Sequence, residues 1–209
     1  MSTISYHRST ISYHRLKIKR LMTNLFGIKF NVRRKTIKDA VFTNMTFVLA
    51  DFSETQLFGV VFKNCNFAHC TFNGSAMSRV AFNGCTHTSS RFNDSIMDTV
   101  EFNYSSCYDC NFSDVLGGGS FNANRSTFTK CFMRNVKMPL SEFKFSMFEK
   151  CQMSGSDFIY MKAVFTLFSD CDLSQSDLSR SAIFDSRFDQ CDLPKDTFGL
   201  TTLANTAIT

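Results

Sequence analysis

Nine cysteines and four histidines are the residues of this chain best equipped for chemistry. Thiolates and imidazoles hold metals, pair as disulfides or act as nucleophile and base, so their spacing decides what they can do. Cys70, Cys110, Cys131, Cys151, Cys171 and Cys191 lie on a ladder of twenty-residue steps that includes one step of twenty-one, and Cys65 and Cys85 are also twenty apart. His87 precedes Cys107 by the same interval. That pair could form a Cys–His nucleophile or half of a metal site, but no third ligand and no orienting carboxylate shares its register. Gly117-Gly118-Gly119-Ser120 resembles a phosphate loop only in its glycines, since no Gly-Lys-Ser/Thr follows and no helical pattern opens behind it. Acidic residues crowd the end of the chain, where residues 151–209 carry eight acids against four bases. Among them Asp157 and Asp177 are twenty apart, as are Asp172 and Asp192, with Asp189 close by.

The elements that position these groups follow from a period of five. Large apolar residues recur at Phe42, Phe47, Phe52, Leu57, Phe62, Phe67, Phe72, Met77 and Phe82, and the series continues to Phe112. It resumes at Phe128 after one extra residue and runs to Ile208. Neither a helix nor a flat strand has this period, and a fixed repeat along most of a chain signals a solenoid. Two residues before each large one sits a position that is nearly always small, such as Ala50, Cys65, Ser75, Cys85 and Ser90. Residues two apart in an extended segment share a side, so each unit sends one large and one small side chain inward. The residue between them points outward, and the remaining two turn a corner.

Small–polar–large units such as Cys65-Asn66-Phe67, Ser156-Asp157-Phe158, Cys171-Asp172-Leu173 and Ser176-Asp177-Leu178 resemble the pentapeptide-repeat family. The resemblance spans residues 37–209. It implies an all-β fold, a right-handed four-sided parallel β-helix with four units per coil. The columns support a twenty-residue coil independently: Phe47, Phe67, His87, Cys107, Phe128, Phe148, Phe168 and Phe188 form one, and Phe52, Phe72, Phe92, Phe112, Met133, Met153, Leu173 and Leu193 another. With strands about 4.8 Å apart, the rod is roughly 40 Å long. Eight of the nine cysteines then occupy the small inward position, where a buried thiol serves as a small apolar filler. Stacked side chains on parallel strands have poor disulfide geometry, so free thiols and a reducing final compartment are expected. His87 reads as a polar defect in a Phe column. No catalytic, cofactor or metal site is expected, and neither is a small-molecule substrate.

Residues 1–36 read as a basic N-terminal tail with a helical cap. Ser2–Arg8 is repeated perfectly as Ser9–Arg15, and Leu16, Ile18, Leu21, Met22, Leu25 and Phe26 have the spacing of a short amphipathic helix stopped by Gly27. A targeting or secretion signal within 1–20 is an open alternative. Residues 1–38 contain ten basic residues and no acid, leaving net −5 for the rest of a chain whose formal charge is +5. The overall basicity is therefore no sign of nucleic-acid binding, and direct binding is not expected. No apolar run approaches the ~18 residues of a membrane span. The glycine triplet marks a one-residue register slip near 113–127, read as a bulge. The final coil reads as an open edge for homodimerisation.

The resulting expectation is a non-enzymatic protein–protein interaction scaffold, cytoplasmic or secreted into a host cell, with a protein partner. Asp157, Asp172, Asp177, Asp189 and Asp192 form the candidate partner surface. The Phe- and Cys-rich repeats are also similar to the β-helix of HECT-like secreted bacterial ubiquitin ligases, which implies a bacterial effector. The alternative implied by the family is a gyrase-binding DNA mimic of the quinolone-resistance type.

Overall fold

A five-residue unit with two inward side chains and a two-residue corner makes four corners in twenty residues. The computed structural model has this coil; it describes residues 30–195 and 198–209 and the backbone of Ile11–Ser12. Strands are mostly three residues long, as at Val41–Thr43, Thr46–Val48 and Gln56–Phe58. They pair in parallel at a twenty-residue step, so that Phe42 meets Phe62 and then Phe82, and Phe47 meets Phe67, His87 and Cys107. The result is a right-handed four-sided parallel solenoid, with no helix among the described residues.

Four faces follow one another along the chain. The first carries Ile37, Leu57, Met77 and Met97 inward, the second Phe42, Phe62, Phe82 and Phe102, and the third the Phe47 column. The fourth, beginning at Val32 and Phe52, is held by isolated bridges such as Asn31↔Asp51, Asp51↔Thr71 and Asp172↔Asp192. Apart from the corner at residues 118–120, the corners from Arg34 to Gln190 each hold one left-handed residue, and Asp39, Asn44, Gly59, Asn64 and Gly74 have φ between 50° and 62°. Asn, Asp and Gly visit that region at least cost, which is why they recur at this step of the sequence.

Stacked rings make up much of the core, most continuously between Phe42 and Phe112. Phe62, Phe82 and Phe102 are fully buried. Along the fourth face Phe52, Phe72, Phe92 and Phe112 stack at 4.5, 4.7 and 4.6 Å between centroids. Rings in neighbouring columns meet edge to face, as Phe62 does with Phe67 at 5.3 Å. Parallel strands impose the stacking, and the ring quadrupole favours the edge contacts across the rod.

The small inward residues do more than fill space. The thiols of Cys70, Cys85, Cys110, Cys131, Cys151 and Cys171 each donate to the carbonyl of the residue that ends the preceding face's inward pair one coil back: Cys70 to Phe47 at 3.3 Å, Cys131 to Cys107 at 3.4 Å, Cys151 to Phe128 at 3.3 Å and Cys171 to Phe148 at 3.3 Å. Ser105 and Ser156 do the same to Phe82 and Met133 at 2.7 and 2.8 Å. Ser, Cys and Thr share this position because each is small and carries a donor. The reading of the thiols as apolar filler is therefore incomplete.

The register slip is a bulge of one residue. Met97 pairs with Gly117 and Val100 with Phe121, so Asp98 and Thr99 lie opposite Gly118, Gly119 and Ser120. The inward sizes change places here. Gly117 stands where a large residue belongs, and a Cβ there would lie 2.8 Å from the Lys137 carbonyl oxygen. Phe121 takes the small position, fully buried, with its ring 5.6 Å from Phe102 and 6.3 Å from Phe143.

Coil-to-coil pairing at the twenty-residue step starts with Asn31↔Asp51, ahead of residue 37, and Phe30 and Val32 pack against the core. Ile11–Ser12 runs parallel to Ile37–Lys38, where an unstructured tail is expected from the duplicated sequence. The expected helix between Leu16 and Phe26 lies outside the described residues.

Candidate interaction surfaces

The five aspartates singled out in the sequence fall on three faces. Asp157 and Asp177 are bridge partners on the first face, and Asp172 and Asp192 are bridge partners on the adjoining fourth face. These four flank one corner of the rod. Asp189 lies on the third face, apart from them. Three of the carboxylates also build corners. Asp157 Oδ1 accepts from the Ile159 amide at 3.0 Å, Asp177 Oδ1 from the Ser179 amide at 2.8 Å, and Asp172 Oδ1 from the Ser174 amide and hydroxyl at 3.0 and 2.5 Å. Partial burial pushes the Asp172 carboxyl up, but the donors of Ser174 together with Ser154 and the Arg134 charge outweigh it and hold the group below its ordinary range. Thr209 and then Arg187 hold Asp189 low, through bonds of 2.8 and 3.2 Å. All five aspartates reach solvent to some degree. Like charges stacked one coil apart disfavour folding, and the bonds to corner amides offset this.

His87 and Cys107 are strand partners, as their spacing requires. The imidazole lies flat on Phe67, with centroids 4.6 Å apart and planes within 1°. It is fully buried and neither ring nitrogen has a hydrogen-bond partner. Burial pulls its pKa down to about 4. Burial likewise pushes the Cys107 thiol well above its ordinary value and the Cys70 thiol up to about 11. A neutral imidazole beside a protonated thiol, sealed from solvent, has no route to a substrate. Among the described residues no group of three or more His, Cys, Asp or Glu side chains is arranged to hold a metal ion, and no helix is long and apolar enough to cross a membrane.

Sequence reasoning missed a second surface. The corner residues bordering the second face include Leu140, Tyr160 and Leu200 on one side and Tyr104, Phe145 and Phe165 on the other, all exposed. Phe145 and Phe165 stack at 5.2 Å, and the Arg125 guanidinium lies 4.8 Å from the Phe145 ring centroid and 6.0 Å from that of Tyr104. Arg180 donates to the Tyr160 hydroxyl at 2.7 Å. The available signal was the presence of Leu, Phe and Tyr at the step of the repeat that otherwise favours Asn, Asp and Gly.

A four-sided solenoid of five-residue units, with a small donor and a large apolar residue inward in each, defines a class of repeat protein. A family model for pentapeptide repeats matches the chain in eight copies, among them residues 38–74 and 50–86. The chain belongs to the pentapeptide-repeat family. Among solved structures it is similar to a trypsin-treated variant of QnrB1, a plasmid-mediated fluoroquinolone resistance protein, with 17% identity over 87% of this chain and 90% of that one and a TM-score of 0.59. It also matches HetL, a pentapeptide repeat protein involved in heterocyst differentiation regulation in the cyanobacterium Nostoc sp. strain PCC 7120, with 8% identity over 85% and 86% of the two chains and a TM-score of 0.36. At 17% identity the likeness to the QnrB1 variant is one of fold. No curated protein matches the chain.

Proposed function

We propose that this protein is a non-enzymatic scaffold that binds another protein through the outer side chains of its rod. The observation that carries this reading is how packing uses the reactive groups. Eight of the nine thiols donate to backbone carbonyls inside the solenoid, and His87 is sealed in a ring stack. What remains outside is a set of flat faces with ordered side chains at regular spacing, which suits contact over area more than chemistry on a small molecule. The corner flanked by Asp157, Asp172, Asp177 and Asp192 is the proposed surface for a basic partner. Asp189, paired with Arg187 on the third face, adds little to that field.

The test is capture of interacting proteins by the full chain and by its Asp172→Lys/Asp192→Lys variant, followed by titration of the purified partner. The scaffold reading expects a partner whose affinity falls in the variant, and falls with salt in the wild type, while circular dichroism is unchanged. A partner that ignores both changes removes the acidic corner from the account. Delivery into a host cell is the effector form of this reading, supported by the acid-free stretch 1–38; a translocation reporter fused to residues 1–36 tests it. The gyrase-binding alternative is answered by a supercoiling assay with fluoroquinolone, in which protection of gyrase would favour it over the effector form.

A further inference from the structure

We propose that the second face, between its two exposed apolar corners, is a docking surface for an amphipathic helix of another protein whose apolar stripe is flanked by acidic side chains. Two independent features point there. The first is backbone cost. Among the described residues seven Leu, Phe or Tyr residues have positive φ, and all but Leu49 border this one face: Tyr104, Leu140, Phe145, Tyr160, Phe165 and Leu200. L-residues with a Cβ resist this conformation; Asn, Asp or Gly satisfies it at many other corners of the same rod, and polar side chains such as Arg34, Glu54, Lys130 and Gln175 take it at others, where they remain in water. Each of these side chains is also exposed. Folding alone favours neither a bulky residue at that φ nor an apolar one in water. Strain and exposed apolar surface at the same positions point to a contact made outside the chain.

The second feature is charge. The face and its corners carry Arg125, Lys144, Lys162 and Arg180 against Glu101, Glu142 and Asp185. Glu142 is already paired with Lys144 at 2.5 Å. The excess is one positive charge, opposite in sign to the Asp157–Asp192 corner. Complementarity therefore selects acidic flanks on the partner. Val164, Phe184 and Ala182 supply half-buried apolar ground between the corners.

Geometry selects a helix over a planar ligand. Phe145 and Phe165 cover each other's ring faces, and the Arg125 guanidinium lies close to Phe145 on the side of the preceding coil. The rings leave their edges to incoming groups, so the ladder offers little stacking surface to a base. A three-residue strand spans ~10 Å, close to the ~10 Å diameter of an α-helix. The coils from Tyr104 to Leu200 extend the face for about 24 Å along the rod, the length of about 16 helical residues.

This inference rests on the scaffold reading but names a different surface, which Asp172→Lys/Asp192→Lys leaves untouched. Failure at one surface is therefore separable from failure at the other. The probe is a fluorescein-labelled peptide of about 18 residues, with Leu at i, i+3, i+4 and i+7 spacing and Glu on both flanks, titrated by anisotropy against the full chain. A second peptide carries Lys in place of Glu. The expected result is saturable binding of the Glu peptide alone. That binding should weaken about tenfold or more in Phe145→Asn/Phe165→Asn, and also in Lys162→Glu, with melting temperatures near that of the wild type because Asn suits the left-handed corner. Several outcomes overturn the proposal: equal or tighter binding of the Lys peptide, affinity unchanged in the variants, or no saturable binding of either peptide. Self-association of the wild type that the same Asn substitutions abolish also overturns it, because a second copy then covers the face.

Discussion

Phe82 and Arg91 sit in nearby units and differ chiefly in direction. Phe82 is enclosed by Phe62, Phe102 and the edge of Phe92, whereas Arg91 points outward. Phe82→Asp leaves an unpaired carboxyl in a dry column and should cost more than about 3 kcal/mol or prevent folding. Arg91→Asp should change stability by no more than about 0.5 kcal/mol. Its position matches Asp51 and Asp172, whose carboxylates accept a corner amide. Urea unfolding of the two variants checks the register. His87 makes a second prediction at this scale. Its pKa is about 4 in the folded chain, below the ordinary 6.5. The unfolded chain therefore binds more protons between these values, and stability is lost as pH falls from about 6.5 to about 4. The loss is on the order of 3 kcal/mol from this residue. His87→Phe restores the column and should be more stable at pH 5, with a flatter pH dependence. An unchanged slope would place the imidazole in contact with water. The Phe series was legible in the sequence because residue size and period carry it. The His87–Cys107 pairing was legible from the twenty-residue step, and its inertness follows from the sealed stack.

At the scale of the strand and its corner, the donor at the small position is what the sequence hides. Cys, Ser and Thr read there as small residues, and only the structure shows the bond to a carbonyl of the preceding coil. Filler and donor predict different outcomes. Cys131→Ser/Cys151→Ser/Cys171→Ser keeps a donor at each step and should fold with a modest loss. The corresponding triple Ala variant leaves three buried carbonyls without these bonds and should lose about 1 kcal/mol or more per site relative to the Ser variant. Equal stability of the two would return the thiols to simple packing. Val60, Val80 and Val136 occupy equivalent steps on other faces, so the bond is an increment to the fold and not a condition of it. The bulge was legible as an extra residue near the glycines. The exchange of Gly117 and Phe121 was not, because a large residue in a small slot cannot be recognised once the period that defines the slots has shifted. The apolar corners escaped for a related reason: Phe145, Tyr160 and Phe165 break the turn preference of their step, and turn preference was the only guide to corners.

Across the whole molecule the rod has two characters. Asp157, Asp172, Asp177 and Asp192 make one corner negative, while the second face sets exposed rings among charges with a slight excess of cations. Sequence columns located the first because outward acids repeat at twenty. The solenoid separates both from the core, so partner binding and stability should respond to different substitutions. The most direct test is to titrate the captured partner against the wild type, Asp172→Lys/Asp192→Lys and Cys131→Ser/Cys151→Ser/Cys171→Ser at low and high salt. The account predicts unchanged affinity in the cysteine variant, a loss of about tenfold or more on charge reversal, and a wild-type affinity that falls with salt. Binding that survives charge reversal and salt but is lost with the thiols, in a variant that still folds, would contradict it.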